Sequence, residues 1–107
     1  MVESLRNTGK LPDEYITKSE ARSNGWDRGK AVGTTNPGKQ LGGDLFKNTD
    51  NLLPEAKNRI WTEVDIGLDS LISRAKQPGT RLVYSNDGLL FITTDHYESF
   101  FKIGEWK

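Results

Sequence analysis

The chain has 107 residues, with 15 Lys and Arg against 15 Asp and Glu, one His and no Cys, which fits one small hydrophobic core. Zero formal charge excludes a polycation that holds nucleic acid by bulk attraction, since that needs a clear excess of Lys and Arg, but it leaves room for a local basic site. Without cysteine there is no disulfide framework, thiolate zinc site or cysteine nucleophile. No stretch approaches the ~18 apolar residues of a membrane span, and the N-terminus lacks a signal-peptide core.

Val2 to Thr8 predicts about two helical turns closed by Gly9, a helix so short that it must dock to persist. Thr17-Lys18-Ser19-Glu20 is a capping box, so a second helix starts there and stops near Gly25. Arg28 to Leu41, with Gly29, Gly33, Pro37 and Gly38, reads as a loop held by turns. Leu41 to Phe46 contains Gly42-Gly43 and predicts a strand with a glycine bulge or a close backbone approach. Ile60 to Ile66 alternates strictly, placing Trp61, Glu63 and Asp65 on one face and Ile60, Thr62, Val64 and Ile66 on the other. Arg81 to Tyr84 and Leu89 to Ile92 flank Ser85-Asn86-Asp87-Gly88, a hairpin signal, and Ser99 to Ile103 is a fifth strand candidate. Helices precede hairpin-linked strands. The expected fold is α+β, with N-terminal helices packed on one face of a four- to five-stranded antiparallel sheet.

The balanced charge is unevenly placed. Arg28 to Gly43 and Ser70 to Asn86 each carry three cations and no acid, which reads either as solvated loops or as two local basic stretches. Arg81 opens a strand beside Leu82 and Val83, where a long cation needs fixed partners; if that strand neighbours the Glu63 strand, a guanidinium and a carboxylate share one face. Glu63 is either one end of a structural salt bridge or a catalytic carboxylate, and His96, in Thr93-Thr94-Asp95-His96-Tyr97, is either structural or a loop imidazole open to substrate. One His without thiols builds no zinc site, and no spacing matches a calcium loop, so no metal or other cofactor is expected. Phosphate-loop, dinucleotide and nucleophile-elbow patterns are absent. A carboxylate, an imidazole and several cations, with Phe46, Tyr97, Phe100 and Phe101, suit metal-free RNA cleavage: the 2′-hydroxyl needs a base, the 5′-oxygen an acid, and the phosphorane positive charge. Aromatic faces can stack the base.

Leu11-Pro12-Asp13-Glu14-Tyr15-Ile16-Thr17-Lys18-Ser19-Glu20-Ala21, Gly25-Trp26, Pro37-Gly38-Lys39, Gly42-Gly43-Asp44, Trp61, Glu63, Asp65-Ile66 and Thr93 to Tyr97 resemble, in order and over nearly the whole chain, the barnase-like guanyl-preferring microbial ribonucleases. The resemblance implies that residues 1–107 are a single ribonuclease domain cleaving single-stranded RNA through a 2′,3′-cyclic phosphate, with guanine preference. It assigns Glu63 as general base and His96 as general acid, Arg81 as a phosphate-binding arginine and Lys18 as the cation that starts the second helix. Phe46, Lys47, Asn48, Asp50 and Tyr97 fall in or beside the base site.

The sequence departs from the family pattern in four places. Gln77 stands where a second phosphate arginine is expected, and the segment from Gly67 to Thr80 is longer, so Arg74, or else Lys76, is expected to substitute. Arg74 is preferred because its planar fork suits phosphate. Thr49 and Asp50 replace an Arg and a Glu of the guanine loop, leaving a carboxylate one methylene shorter. The N-terminal helix is shorter than the family's, which raises the expectation of a domain excised from a longer secreted toxin. Gly104 to Lys107 extends past the usual end. The resemblance also implies secretion, a monomer away from membranes, and an acidic barstar-like inhibitor or immunity protein as partner. The competing expectation is an inactive ribonuclease-like module that binds RNA or protein.

Overall fold

The computed structural model describes residues 2–66, 71–77 and 80–107. The chain runs α1 (Val2–Thr8), β1 (Tyr15–Ile16), α2 (Lys18–Ser23), β2 (Gln40–Phe46), β3 (Trp61–Asp65), β4 (Arg81–Ser85), β5 (Leu89–Thr93) and β6 (Phe101–Glu105), with single 3-10 turns at Val32–Thr34 and Arg74–Lys76. The strands form one sheet in sequence order. β1 is parallel to β2, and each later pair is antiparallel. The α+β fold is as expected, with one strand more than five because Tyr15–Ile16 pairs with Gln40 and Leu41. Two residues are too few to carry a readable alternation.

Local signals act where the sequence placed them. Thr17 Oγ1 accepts from the Glu20 amide while the Glu20 carboxylate accepts from the Thr17 amide, which closes the capping box at the start of α2. The glycine pair of β2 serves both anticipated purposes. Gly43, at φ +103°, lies at the register shift between Gly42 and Asp44, and a Cβ on Gly42 would stand 2.8 Å from Tyr15 Cδ1. β6 begins two residues later than expected, because the Ser99 amide and hydroxyl both donate to Asp95 and the Phe100 ring packs on Phe46. Of the lengthened segment Gly67 to Thr80, residues 67–70 and 78–79 lie outside the described residues, and with them Ser70, the start of the second basic stretch.

The sheet buries both faces. Val64, Leu82 and Leu90 pack with Val2, Leu11, Tyr15 and Trp106 on one side, and Leu53, Trp61 and Val83 pack with Phe46, Phe91, Tyr97 and Phe100 on the other. Ala21 of α2 joins Trp26, Val32 and Leu41 in a third cluster. The C-terminal extension seals the first face: Trp106 Nε1 donates to Ser85 O at 2.8 Å, and Arg6 donates to Glu105 O at 2.7 Å, tying α1 to the chain end.

Candidate active site

Register places the charged groups. Asp65 pairs with Arg81 and Glu63 with Val83, so Glu63, Asp65 and Arg81 project from the same face. The Arg81 guanidinium anticipated beside the Glu63 carboxylate pairs with Asp65 instead. Arg81 Nε stands 2.8 Å from Asp65 Oδ1, and Arg74 donates to the same carboxylate from Nε at 2.8 Å and Nη2 at 3.0 Å. Arg81 and Asp65 are buried, with side-chain exposures of 5% and 6%. Arg74, on the 3-10 turn Arg74–Lys76, therefore does come to the site, and Lys76 does not line the cleft. Asp65 is one residue here that the sequence left without a role; its place on the Glu63 face of β3 was the available signal.

Glu63 is engaged from two sides. Lys18 Nζ donates to Glu63 Oε1 at 3.0 Å, while the Lys18 amide donates to Asp44 Oδ2 and fastens the start of α2 to β2. The Tyr97 hydroxyl hydrogen-bonds Glu63 from the opposite end of the chain; burial first, then the Glu63 charge, raise the Tyr97 pKa, so the phenol stays a proton donor.

His96 and Tyr97 both adopt left-handed backbone, at φ 56° and 73°, unusual for residues with a Cβ. The Asp95 carboxylate over-determines the turn: it accepts from Thr93 Oγ1 at 2.8 Å, from the amides of Glu98 and Ser99 and from the Ser99 hydroxyl, while Thr93 Oγ1 accepts from the Tyr97 amide. The Ser99 and Thr93 donors hold the Asp95 pKa at about 2. The outcome is an exposed imidazole whose ring meets that of Tyr97 at 5.0 Å.

Lys18, Glu63, Arg74, Arg81, His96 and Tyr97 line one cleft of about 300 Å³, together with Arg22 and Arg28. A second cavity of about 310 Å³ adjoins it and shares Arg28, Arg74, Arg81 and His96. Arg28 and Arg22 were not singled out individually from the sequence, though Arg28 opens an acid-free stretch. Neither forms an ion pair with a described carboxylate, and Arg22 lies over the Trp26 ring at 5.7 Å.

The base-site candidates divide. Phe46, Asn48, Thr49, Asp50, Leu52, Tyr97 and Phe100 surround a pocket of about 180 Å³, in which Phe46 and Tyr97 stack at 5.0 Å. The Asn48 side chain is occupied in shaping the loop: it donates to Leu53 O, accepts from the Leu53 amide and bonds Glu55. Lys47 lines a different cleft with Leu45, Glu55, Arg59 and Ile60. Asp50 is exposed at the pocket.

A ribonuclease family model matches residues 2–104. A ribonuclease of Heyndrickxia coagulans is 46% identical over 95 residues, covering 88% of this chain and 84% of the relative. Ribonucleases of Bacillus intermedius and Bacillus pumilus are 46% identical over 95 residues, 88% of this chain and 56% of their own length, so the chain spans about half of those two. A family model matched over nearly the full length and relatives 46% identical over most of the chain agree, and the chain belongs to the barnase-like microbial ribonuclease family.

Proposed function

We propose that this ribonuclease cleaves single-stranded RNA by a metal-independent, two-step reaction. In the first step Glu63 takes the 2′-hydroxyl proton, the 2′-oxygen attacks phosphorus, and the 5′-oxygen leaves with a proton from His96, forming a 2′,3′-cyclic phosphate. In the second step His96 takes a proton from water, the water oxygen attacks phosphorus, and Glu63 returns its proton to the departing 2′-oxygen. Lys18, Arg81 and Arg74 supply positive charge around the phosphorane oxygens. The observation that carries this reading is that Glu63 and His96 line one cleft with those three cations.

Guanine is the proposed preferred base. Phe46, Tyr97 and Phe100 offer aromatic faces, and the Asp50 carboxylate at the same pocket is an acceptor for the guanine ring N–H and amino group. Arg22 and Arg28, free of described carboxylate partners, support an acidic inhibitor or immunity protein as the partner of this cleft. We further propose that residues 1–107 act as one monomeric domain, secreted or delivered within a larger secreted toxin.

The test is cleavage of defined RNA and dinucleoside phosphates in chelator. The expected result is a cyclic phosphate intermediate, no action on the 2′-deoxy analogue and cuts following guanosine. Activity that survives in both Glu63→Ala and His96→Ala would overturn the assignment, and salt-sensitive RNA binding without turnover would mark an inactive binding module. Growth arrest on expression alone, relieved by co-expressing an acidic partner, is expected for the inhibitor.

A further inference from the structure

Arg74 reaches the cleft from a 3-10 turn in the lengthened β3 to β4 connection, a position that by itself fixes a long side chain poorly. Besides the Arg74 hydrogen bonds to Asp65, two hydrogen bonds from this turn end on one oxygen of the neighbouring loop: Ser73 Oγ donates to Gly29 O at 2.6 Å, and the Ala75 amide donates to the same carbonyl at 3.3 Å. Gly29 adopts φ +82°, and a Cβ there would meet Ala75 Cβ at 4.0 Å, so the two loops are in close contact. Trp26 completes the seat: its Nε1 donates to Lys30 O at 2.9 Å, and the Arg74 guanidinium lies 6.0 Å from its ring centroid. Arg28 precedes Gly29, so the same docking brings Arg28 and Arg74 to one cavity.

We propose that Ser73 is a positioning residue, which latches the 71–77 segment onto the Gly29 carbonyl and thereby delivers Arg74 to the substrate phosphate; this rests on the ribonuclease reading above. The physical argument is entropic. Asp65 holds the guanidinium from one side, and the latch fixes the backbone from which it reaches, so less of the loop has to be ordered when substrate binds. The hydroxyl contributes through Arg74 alone and touches no substrate atom.

The test is a double-mutant cycle on kcat/KM for a dinucleoside phosphate, using Ser73→Ala, Arg74→Ala and the pair. Loss of one hydroxyl-to-carbonyl hydrogen bond predicts that Ser73→Ala lowers kcat/KM about fivefold, mostly through KM. The same substitution made beside Arg74→Ala is expected to have no further effect, and Ser73→Thr, which keeps the hydroxyl, restores at least half of the loss. A Ser73→Ala effect that persists undiminished without Arg74, or a single variant equal to wild type, overturns the positioning role while leaving the function standing. A wild-type chain that cleaves no RNA removes the function and this inference with it. Urea unfolding of each variant shows whether the native state is populated under assay conditions.

Discussion

The two ends of the cleft are built on opposite principles. The β3 and β4 end sets Glu63, Asp65 and Arg81 in paired strands, with the ion pair of Arg81 and Asp65 almost fully covered. The 93–99 end sets His96 in an exposed turn with two left-handed residues, held by hydrogen bonds to one carboxylate. Strand register places Glu63 and Arg81 through long-range pairing, whereas local side-chain chemistry places His96. The difference suits the proposed reaction, in which a proton donor to a leaving group needs access and a cradle for a charged phosphorane gains from low-dielectric surroundings and fixed geometry.

The largest expected effect lies in the chemistry itself. Glu63→Gln and His96→Ala should each lower kcat by about 10²- to 10⁴-fold, because the proposed proton transfers need both ends. Asp65→Ala separates the ends. It leaves two guanidinium groups without their carboxylate, so urea unfolding should show a loss of about 3 kcal/mol, while the His96 turn keeps its hydrogen bonds. An Asp65→Ala chain as stable as wild type would break the picture of a buried cradle. Asp50→Glu restores the longer carboxylate and should raise the preference for guanosine over adenosine roughly tenfold, in line with one better charge-assisted hydrogen bond; kcat/KM for the two dinucleotides decides it.

The smallest effect concerns the turn. Because the folded Asp95 pKa is lowered from 3.8 to about 2, its contribution to stability is complete above about pH 4 and is lost as pH falls from there through about 2. Thermal midpoints measured across that window should therefore fall more steeply for the wild type than for Asp95→Asn, which has no carboxylate to protonate. Equal slopes would mean that the turn does not depend on the carboxylate.

Much of this was legible locally. The capping box, the Gly42-Gly43 irregularity and the Ser85 to Gly88 hairpin each depend on a few adjacent residues, and each formed where the pattern put it. β1 was not legible, because two residues gain strand character only from Gln40 and Leu41. Gly104 to Lys107 had no reading as sequence, since the worth of Trp106 lies in the Ser85 carbonyl and the Tyr84 ring. Among the base-site candidates, only packing divided Asp50 at the pocket from Asn48, which is turned into the loop, and from Lys47 in the neighbouring cleft.

The sequence by itself determined the α+β class, the face that Glu63 and Asp65 share, and the resemblance that marks Glu63 and His96, because alternation, caps and motif order are properties of neighbours along the chain. Only the tertiary structure decided that one Asp65 carboxylate holds both Arg74 and Arg81, and that five cations converge on a chain whose charges sum to zero. Such pairings join residues far apart in sequence or on loops whose course local preferences do not fix, and their geometry exists only once strand register and loop docking have set it.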